Sequence, residues 1–300
     1  MRAGTAQICL VVAASLAAAV SGASFSLSDA KQFVYLAGAA YCDASSLKSW
    51  TCGRACSGPL PAVPGSITVV QNRTMDLQAF VGKLEDGRAI VSFRGTRPTK
   101  IQDWVTDLKS AFKTDWTGPG CPSCRVAKGF YEAYLALAPD IKVALHGLNA
   151  GTVVVTGHSL GASMAGIAMM DLYASGFNLA PAHYTFGQPR DGDEVYASTF
   201  NSVLGTSRLF RVVHYKDIVP HLPMHWMGFH HTPREVWFNK DQTSHTVCDG
   251  TGEDPNCSDS LTIATSISDH LNYLDLPISR LCGTEATNGT AFEEDLPRED

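Results

Sequence analysis

Val153-Val154-Val155-Thr156-Gly157-His158-Ser159-Leu160-Gly161-Ala162 is the stretch on which the fold turns. The β-branched apolar run at its start reads as a buried strand. Gly157-His158-Ser159-Leu160-Gly161 is a G-x-S-x-G pentapeptide, and small and apolar residues follow from Ala162 through Leu172 in a helical pattern. Strand, sharp turn and helix are together the setting of a nucleophile elbow. A tight turn leaves room only for small residues beside the serine, hence the glycines. It lifts the serine Oγ out at the end of the sheet and aims the positive end of the next helix at the same place. Ser159 is therefore the candidate nucleophile. The pentapeptide alone is a weak pattern, and its plain alternative is a Gly-rich turn packing a helix onto a sheet.

Outward from this stretch, strands alternate with helices. Leu77–Leu84 and Ala89–Phe93 read as strands joined by Glu85-Asp86-Gly87-Arg88, whose Asp-Gly is a hairpin signal. His183–Gly187, Leu209–Tyr215 and Glu235–Phe238 read as further strands. Leu27–Tyr41 has helical spacing, as does Gly129–Leu148 with an interruption at Pro139. Residues 42–65 and 248–259 read as loops. The alternation predicts an α/β fold, a mostly parallel central sheet with helices on both faces. At 300 residues the chain supports one large core, and one catalytic domain is expected over 24–284.

The two ends read differently. Arg2, the apolar run Ile8–Val20 and the small residues Ser21-Gly22-Ala23 form the pattern of a secretory signal over 1–23. The run is shorter than the ~20 residues a membrane helix needs, and no later segment looks membrane-spanning. Residues 285–300 form an acidic tail with a disordered composition. Nine cysteines occur, and eight remain beyond Cys9 of the leader: Cys42, Cys52, Cys56, Cys121, Cys124, Cys248, Cys257 and Cys282. An even number in an exported chain points to disulfides, with the connectivity left open by spacing. A zinc site at Cys121-Pro122-Ser123-Cys124 lacks a second ligand pair. Asn72, Asn256 and Asn288 head glycosylation sequons. A net charge of −6 gives no electrostatic case for nucleic acid or anionic membranes.

A serine hydroxyl near neutral pH needs a base within reach and a third group to orient that base. Asp217 closely follows the strand Leu209–Tyr215 and fits the acid role; Asp191 and Asp193 are rivals at a looser distance. For the base, His183, His214, His221, His225, His230, His231, His245 and His270 are open. His214 lies within a strand. His230-His231 suggests metal, yet no carboxylate or third ligand has a recognisable spacing. His270 comes late, after a polar loop, and its position favours it modestly over His245. Thr96, at the strand end Phe93-Arg94-Gly95-Thr96, offers its N–H and hydroxyl to an oxyanion; a plain strand-to-loop turn is the alternative. Ile101, Trp104, Val105 and Leu108 fall at i, i+3, i+4 and i+7, the face of a short amphipathic helix. Such a helix is expected to act as a lid that turns its apolar face to lipid when open, rather than as a helix packed permanently on the core.

Five motifs, in order, resemble the class 3 lipases, the secreted filamentous-fungal triacylglycerol lipases and their relatives. They are Val91–Thr96, Thr156–Gly161, Tyr184–Arg190, Val212–Pro220 and Asp269–Tyr273. The resemblance implies an α/β-hydrolase fold with a short helical lid around Trp104. It places the nucleophile at Ser159, the orienting acid at Asp217 and the general base at His270, with oxyanion donors at Thr96 and the Leu160 N–H. It also implies the disulfides Cys42–Cys282, Cys52–Cys56, Cys121–Cys124 and Cys248–Cys257. One departure is Asp191-Gly192-Asp193, where relatives usually carry Val-Gly-Asn. The activity implied is hydrolysis of acylglycerol esters at an oil–water interface by a secreted monomer, with neither metal nor organic cofactor. A feruloyl-type carbohydrate esterase would carry a polar lid, against which the face at Ile101, Trp104, Val105 and Leu108 argues. Phospholipase A1 stays open. A catalytically dead binding protein on the same scaffold would have lost a triad residue, and all three are present.

Overall fold

The computed structural model describes residues 23–149 and 151–282. Nearly all of the expected leader, the acidic tail and Asn288 lie outside the described residues. In chain order the elements are α1 (Leu27–Ala39), α2 (Ala44–Ser49), β1 (Thr68–Asn72), β2 (Leu77–Lys83), β3 (Ala89–Phe93) and α3 (Ile101–Leu108). The short β4 (Lys113–Asp115) and β5 (Arg125–Ala127) follow, then α4 (Lys128–Leu135), α5 (Ala138–Leu148), β6 (Val153–His158) and α6 (Leu160–Ala174). Last come β7 (His183–Phe186), α7 (Glu194–Leu204), β8 (Leu209–His214), β9 (Glu235–Phe238), β10 (His245–Val247) and α8 (Ile267–Leu271).

Eight strands form one sheet in the order β1-β2-β3-β6-β7-β8-β9-β10. From β3 to β9 the pairing is parallel; the edge pairs β1/β2, β2/β3 and β9/β10 are antiparallel. The central strands are buried on both faces, and this is why they read as continuous apolar runs. All six residues of β6 are buried. Alternate side chains enter different cores: Val91, Val153 and Val155 join the face covered by α4–α7, while Ile90 and Val154 pack on the face covered by α1 and the C-terminal segment around Tyr273–Leu281.

Helix boundaries follow from capping. Ser26 caps α1 by accepting from the Asp29 N–H, and Asp193 caps α7 by accepting from the Tyr196 N–H. The helical stretch expected over 129–148 is two helices. The break lies at Ala136–Leu137, because Pro139 is accommodated in the first turn of α5, where its missing N–H costs nothing. The expected loop 42–65 holds α2, capped by Asp43. Disulfides join Cys42–Cys282, Cys52–Cys56, Cys121–Cys124 and Cys248–Cys257. The first ties the end of the α1 segment to the last described residue. Asn256 is exposed on the Cys248–Cys257 loop, and the Asn72 side chain accepts from the Met75 N–H at the end of β1. Among the described residues, no helix is long and apolar enough to cross a membrane.

Candidate active site

Ser159 stands between β6 and α6 with φ 61° and ψ −129°, a left-handed conformation that a side chain rarely adopts. Close approach holds it there. A Cβ on Gly157 would come within 2.2 Å of the Gly161 oxygen, and one on Gly161 within 2.2 Å of the Phe93 oxygen at the end of β3. Only glycine lets the strand, the turn and the first turn of α6 press together. The Ser159 N–H donates to the Phe186 carbonyl at 3.0 Å, fixing the elbow to β7. Leu160 opens α6, so its N–H has no carbonyl within the helix.

Asp217 and His270 converge on this turn from different elements. Asp217 follows β8, and its segment runs beside Ser266: the Ile218 N–H donates to the Ser266 carbonyl at 3.3 Å and the Ser266 N–H to the Lys216 carbonyl at 3.0 Å. Ser266 also caps α8, accepting from the Asp269 N–H. The helix that carries His270 is thereby docked on the loop that carries Asp217. His270 Nδ1 lies 2.9 Å from Asp217 Oδ2, and both residues are fully buried. The Tyr273 hydroxyl donates to the same oxygen, while the Val219 N–H donates to Asp217 Oδ1 at 2.8 Å. Burial raises the Tyr273 phenol well above its ordinary range, which keeps it a donor. Gly187, at φ +57°, makes room for the pair: a Cβ there would lie 2.8 Å from His270 Nδ1 and 2.9 Å from Asp217 Oδ2.

His158 packs against His270. Its Nε2 lies 2.8 Å from the His270 carbonyl, which can only accept, so Nε2 carries the proton. Its Nδ1 then accepts from the Tyr41 hydroxyl at 2.7 Å. The two imidazoles lie 4.5 Å apart. Burial, then the neighbouring His270, holds His158 far below the usual histidine range, so it stays neutral. Ser159 Oγ, His270 Nε2 and Thr96 Oγ1 are buried and have no hydrogen-bond partner among the described residues. Three unsatisfied buried polar groups carry a cost that a structure keeps for a reason.

Most of the other candidates are engaged elsewhere; His221 follows Asp217 on the same loop, with its Nδ1 4.0 Å from Asp259 Oδ1. His183 Nδ1 accepts from the Val155 N–H at 2.9 Å inside the sheet, and burial lowers it to about 3. The ring nitrogens of His214 face the carbonyls of Asp269 and Lys240 at 3.1 and 3.0 Å. His245 lies on the outer strand β10, and His231 Nε2 contacts the Pro220 carbonyl at 2.7 Å. Asp193 is a helix cap. Asp191 is fully buried, accepts from Gln188 Nε2 at 2.6 Å, and is pushed up to about 8 by desolvation. His230 does meet a carboxylate, Glu253, together with His225. Glu253 is 23 residues away in sequence, beyond any spacing rule.

Helix α3 turns its apolar face inward: Ile101, Val105 and Leu108 are buried in the core, and Trp104 packs on Phe130. Beside it lies a mostly apolar cavity of about 420 Å³ lined by Leu77, Trp104, Leu108, Phe130, Ala133 and, at the elbow, Leu160, with Asp107, Ser110, Lys128 and Glu132 among its other walls. The arrangement is a buried acid–base pair beside an unpartnered serine, with an apolar cleft reaching that serine's neighbour.

Residues 90–226 match the family model for lipase (class 3). The chain is 33% identical over 212 residues to a lipase of Rhizomucor miehei, covering 67% of this chain and 56% of that protein. It is 31% identical over 273 residues to the secreted mono- and diacylglycerol lipase 1 of Fusarium solani, covering 85% of this chain and 78% of that one. Among solved structures, the Rhizomucor miehei triacylglyceride lipase superposes with a TM-score of 0.72 at 28% identity, over 84% of this chain and 96% of that one. Lipase II from Rhizopus niveus gives 0.71 at 28% identity, over 83% and 94%. The chain spans about half the length of the Rhizomucor and Rhizopus sequences it matches, 56% and 54%. With the α/β-hydrolase sheet, the serine elbow and this similarity over most of its length, the chain belongs to the class 3 lipase family.

Proposed function

We propose that this protein is a secreted carboxylic ester hydrolase acting on acylglycerols, with Ser159 as nucleophile, His270 as general base and Asp217 as its orienting acid. His270 Nε2 takes the Ser159 proton as Oγ attacks the ester carbonyl. The Leu160 N–H and Thr96 hold the developing oxyanion, each donor contributing about 10²–10³ in rate. The proton on Nε2 passes to the departing alcohol. Water then enters through the same base, cleaves the acyl-enzyme and releases the fatty acid. Asp217 keeps the His270 proton on Nδ1, so that Nε2 is free to accept.

One observation carries the acylglycerol reading: Trp104 and Leu108 of α3 line a mostly apolar cavity that Leu160, next to the serine, also lines. A polar sugar ester has no use for such a wall; an acyl chain does. Ser159 and His270 are both fully buried, which supports reading α3 as a lid in its closed state. Exposing Ile101, Val105 and Leu108 costs about 1.5–3 kcal/mol each in water. A lipid surface offsets that cost by taking up the same face. Four disulfides and the leader motif support export.

The test is the rate on tributyrin titrated through its solubility limit. A jump in rate as droplets form is expected. Smooth saturation on dissolved ester, with no rise at the interface, would overturn the lid and turn attention to feruloyl or phospholipid esters.

A further inference from the structure

We propose a divalent transition-metal site, of the zinc and copper class, formed by His225, His230 and Glu253. It is separate from the serine centre and does not depend on the lipase reading. One nitrogen of each imidazole and one Glu253 oxygen lie within 4.8 Å of one another. The two rings are 4.5 Å apart, edge to face. All three side chains line a cavity of about 340 Å³, together with Glu194 and Asp249, so an ion and its waters have both access and room.

The carboxylate is held ready. Its Oε1 accepts from Arg190 Nε at 2.9 Å and from the His231 N–H at 2.8 Å, and its Oε2 accepts from Arg190 Nη2 at 2.7 Å. A carboxylate offers about four lone-pair sites, so one remains on Oε2 for a cation. Outer partners of this kind fix the orientation of a metal-bound carboxylate. The backbone is fixed too: the His230 N–H donates to the Gly192 carbonyl at 2.7 Å, and Glu253 sits inside the Cys248–Cys257 ring. His225 is the exposed, adjustable ligand. Zinc bonds of about 2.0–2.2 Å place tetrahedral ligand atoms about 3.4 Å apart, so the present spacing of up to 4.8 Å has to close by about 1.4 Å on binding.

Two imidazoles and one carboxylate select zinc or copper over magnesium or calcium, which prefer oxygen. Water completes the coordination. The ion would clasp the His225–His230 segment to the Cys248–Cys257 disulfide loop. That segment is also held from the other side, where Lys113 Nζ donates to the Met227 and Gly228 carbonyls at 2.7 and 3.0 Å. The second cluster of ligand types, Glu235 with Cys248 and Cys257, carries no site because its sulfurs are joined.

The experiment is calorimetric titration of untagged full-length protein with zinc chloride, beside magnesium chloride. One equivalent of zinc should bind and raise Tm, while magnesium gives no heat. H225A and H230A should each weaken binding by about 100-fold or more, above the roughly 10–100-fold that outer partners cost. Both should keep the zinc-free circular dichroism and Tm of the parent. H245A, at an exposed histidine outside the cluster, should bind as the parent does. No zinc binding by the parent, equal binding of magnesium, or parent-like zinc affinity in H225A and H230A would each overturn the site.

Discussion

Asp217→Asn changes no shape and should nonetheless silence the enzyme. The amide has one oxygen and one NH₂, and its surroundings decide which goes where. Oδ1 receives the Val219 N–H at 2.8 Å; Oδ2 receives the Tyr273 hydroxyl and faces His270 Nδ1 at 2.9 Å. Placing NH₂ against the Val219 N–H sets two donors face to face. The backbone donor cannot turn away, and a buried donor left unpaired costs about 1–3 kcal/mol. A tyrosine hydroxyl can rotate and accept instead. The NH₂ therefore takes the Oδ2 position and donates to His270 Nδ1. That forces the His270 proton onto Nε2, the atom that accepts from Ser159 in the proposed mechanism. Loss of the correct tautomer costs about 10⁴ in kcat, or about 5.4 kcal/mol of barrier at 1.36 per tenfold. The assay is kcat on dissolved p-nitrophenyl butyrate and on emulsified tributyrin, with circular dichroism as the check on folding. A folded D217N with kcat within tenfold of the parent would refute the role of Asp217.

Gly187→Ala forces a Cβ to within 2.8 Å of His270 Nδ1 at a positive φ; a shift of the base by about 1 Å should cost about 10² in the same ester assay. Asp191→Asn tests the buried acid. Its folded value of about 8 exceeds the ordinary 3.8, so the folded chain holds a proton that the unfolded chain releases. Its contribution is complete below about pH 4 and is lost as pH rises toward 8, by roughly 6 kcal/mol at most. Tm of D191N relative to the parent should therefore rise from pH 5 to pH 9, and a flat difference would count against it. Removing the Cys42–Cys282 disulfide, which spans 240 residues, by C42S/C282S should cost about 2–4 kcal/mol and lower Tm by roughly 10 °C.

Legibility in the sequence followed burial. β3 and β6 are apolar and β7, β8 and β9 largely buried because helices cover both faces of the central sheet, and the runs stand out for that reason. The edge strand β10 and the ribbon β4 lack buried residues, so no period marks them; pairing partners alone define them. Helix α7 escaped notice although Tyr196, Ala197, Phe200 and Leu204 form a buried stripe after the capping Asp193. Its serine, threonine and asparagine blur the pattern. At the elbow, glycine spacing reported the close approach of β3, β6 and α6. Asp217 and His270 carry no such local mark. Fifty-three residues separate them, and their pairing is made by the Ser266 ladder; strand position and chain order favoured each over its rivals, and the family resemblance singled out both. The His225, His230 and Glu253 cluster is likewise a product of folding, joined across a disulfide loop.

The most direct test of the central claim is covalent trapping. Purified protein is treated with diethyl p-nitrophenyl phosphate, digested and sequenced by mass spectrometry. The account predicts one diethylphosphoryl group per chain, on Ser159, rising in step with loss of ester hydrolysis, and neither labelling nor activity in S159A. Hydrolysis that persists in folded S159A, or inactivation with the label on another residue, would contradict it.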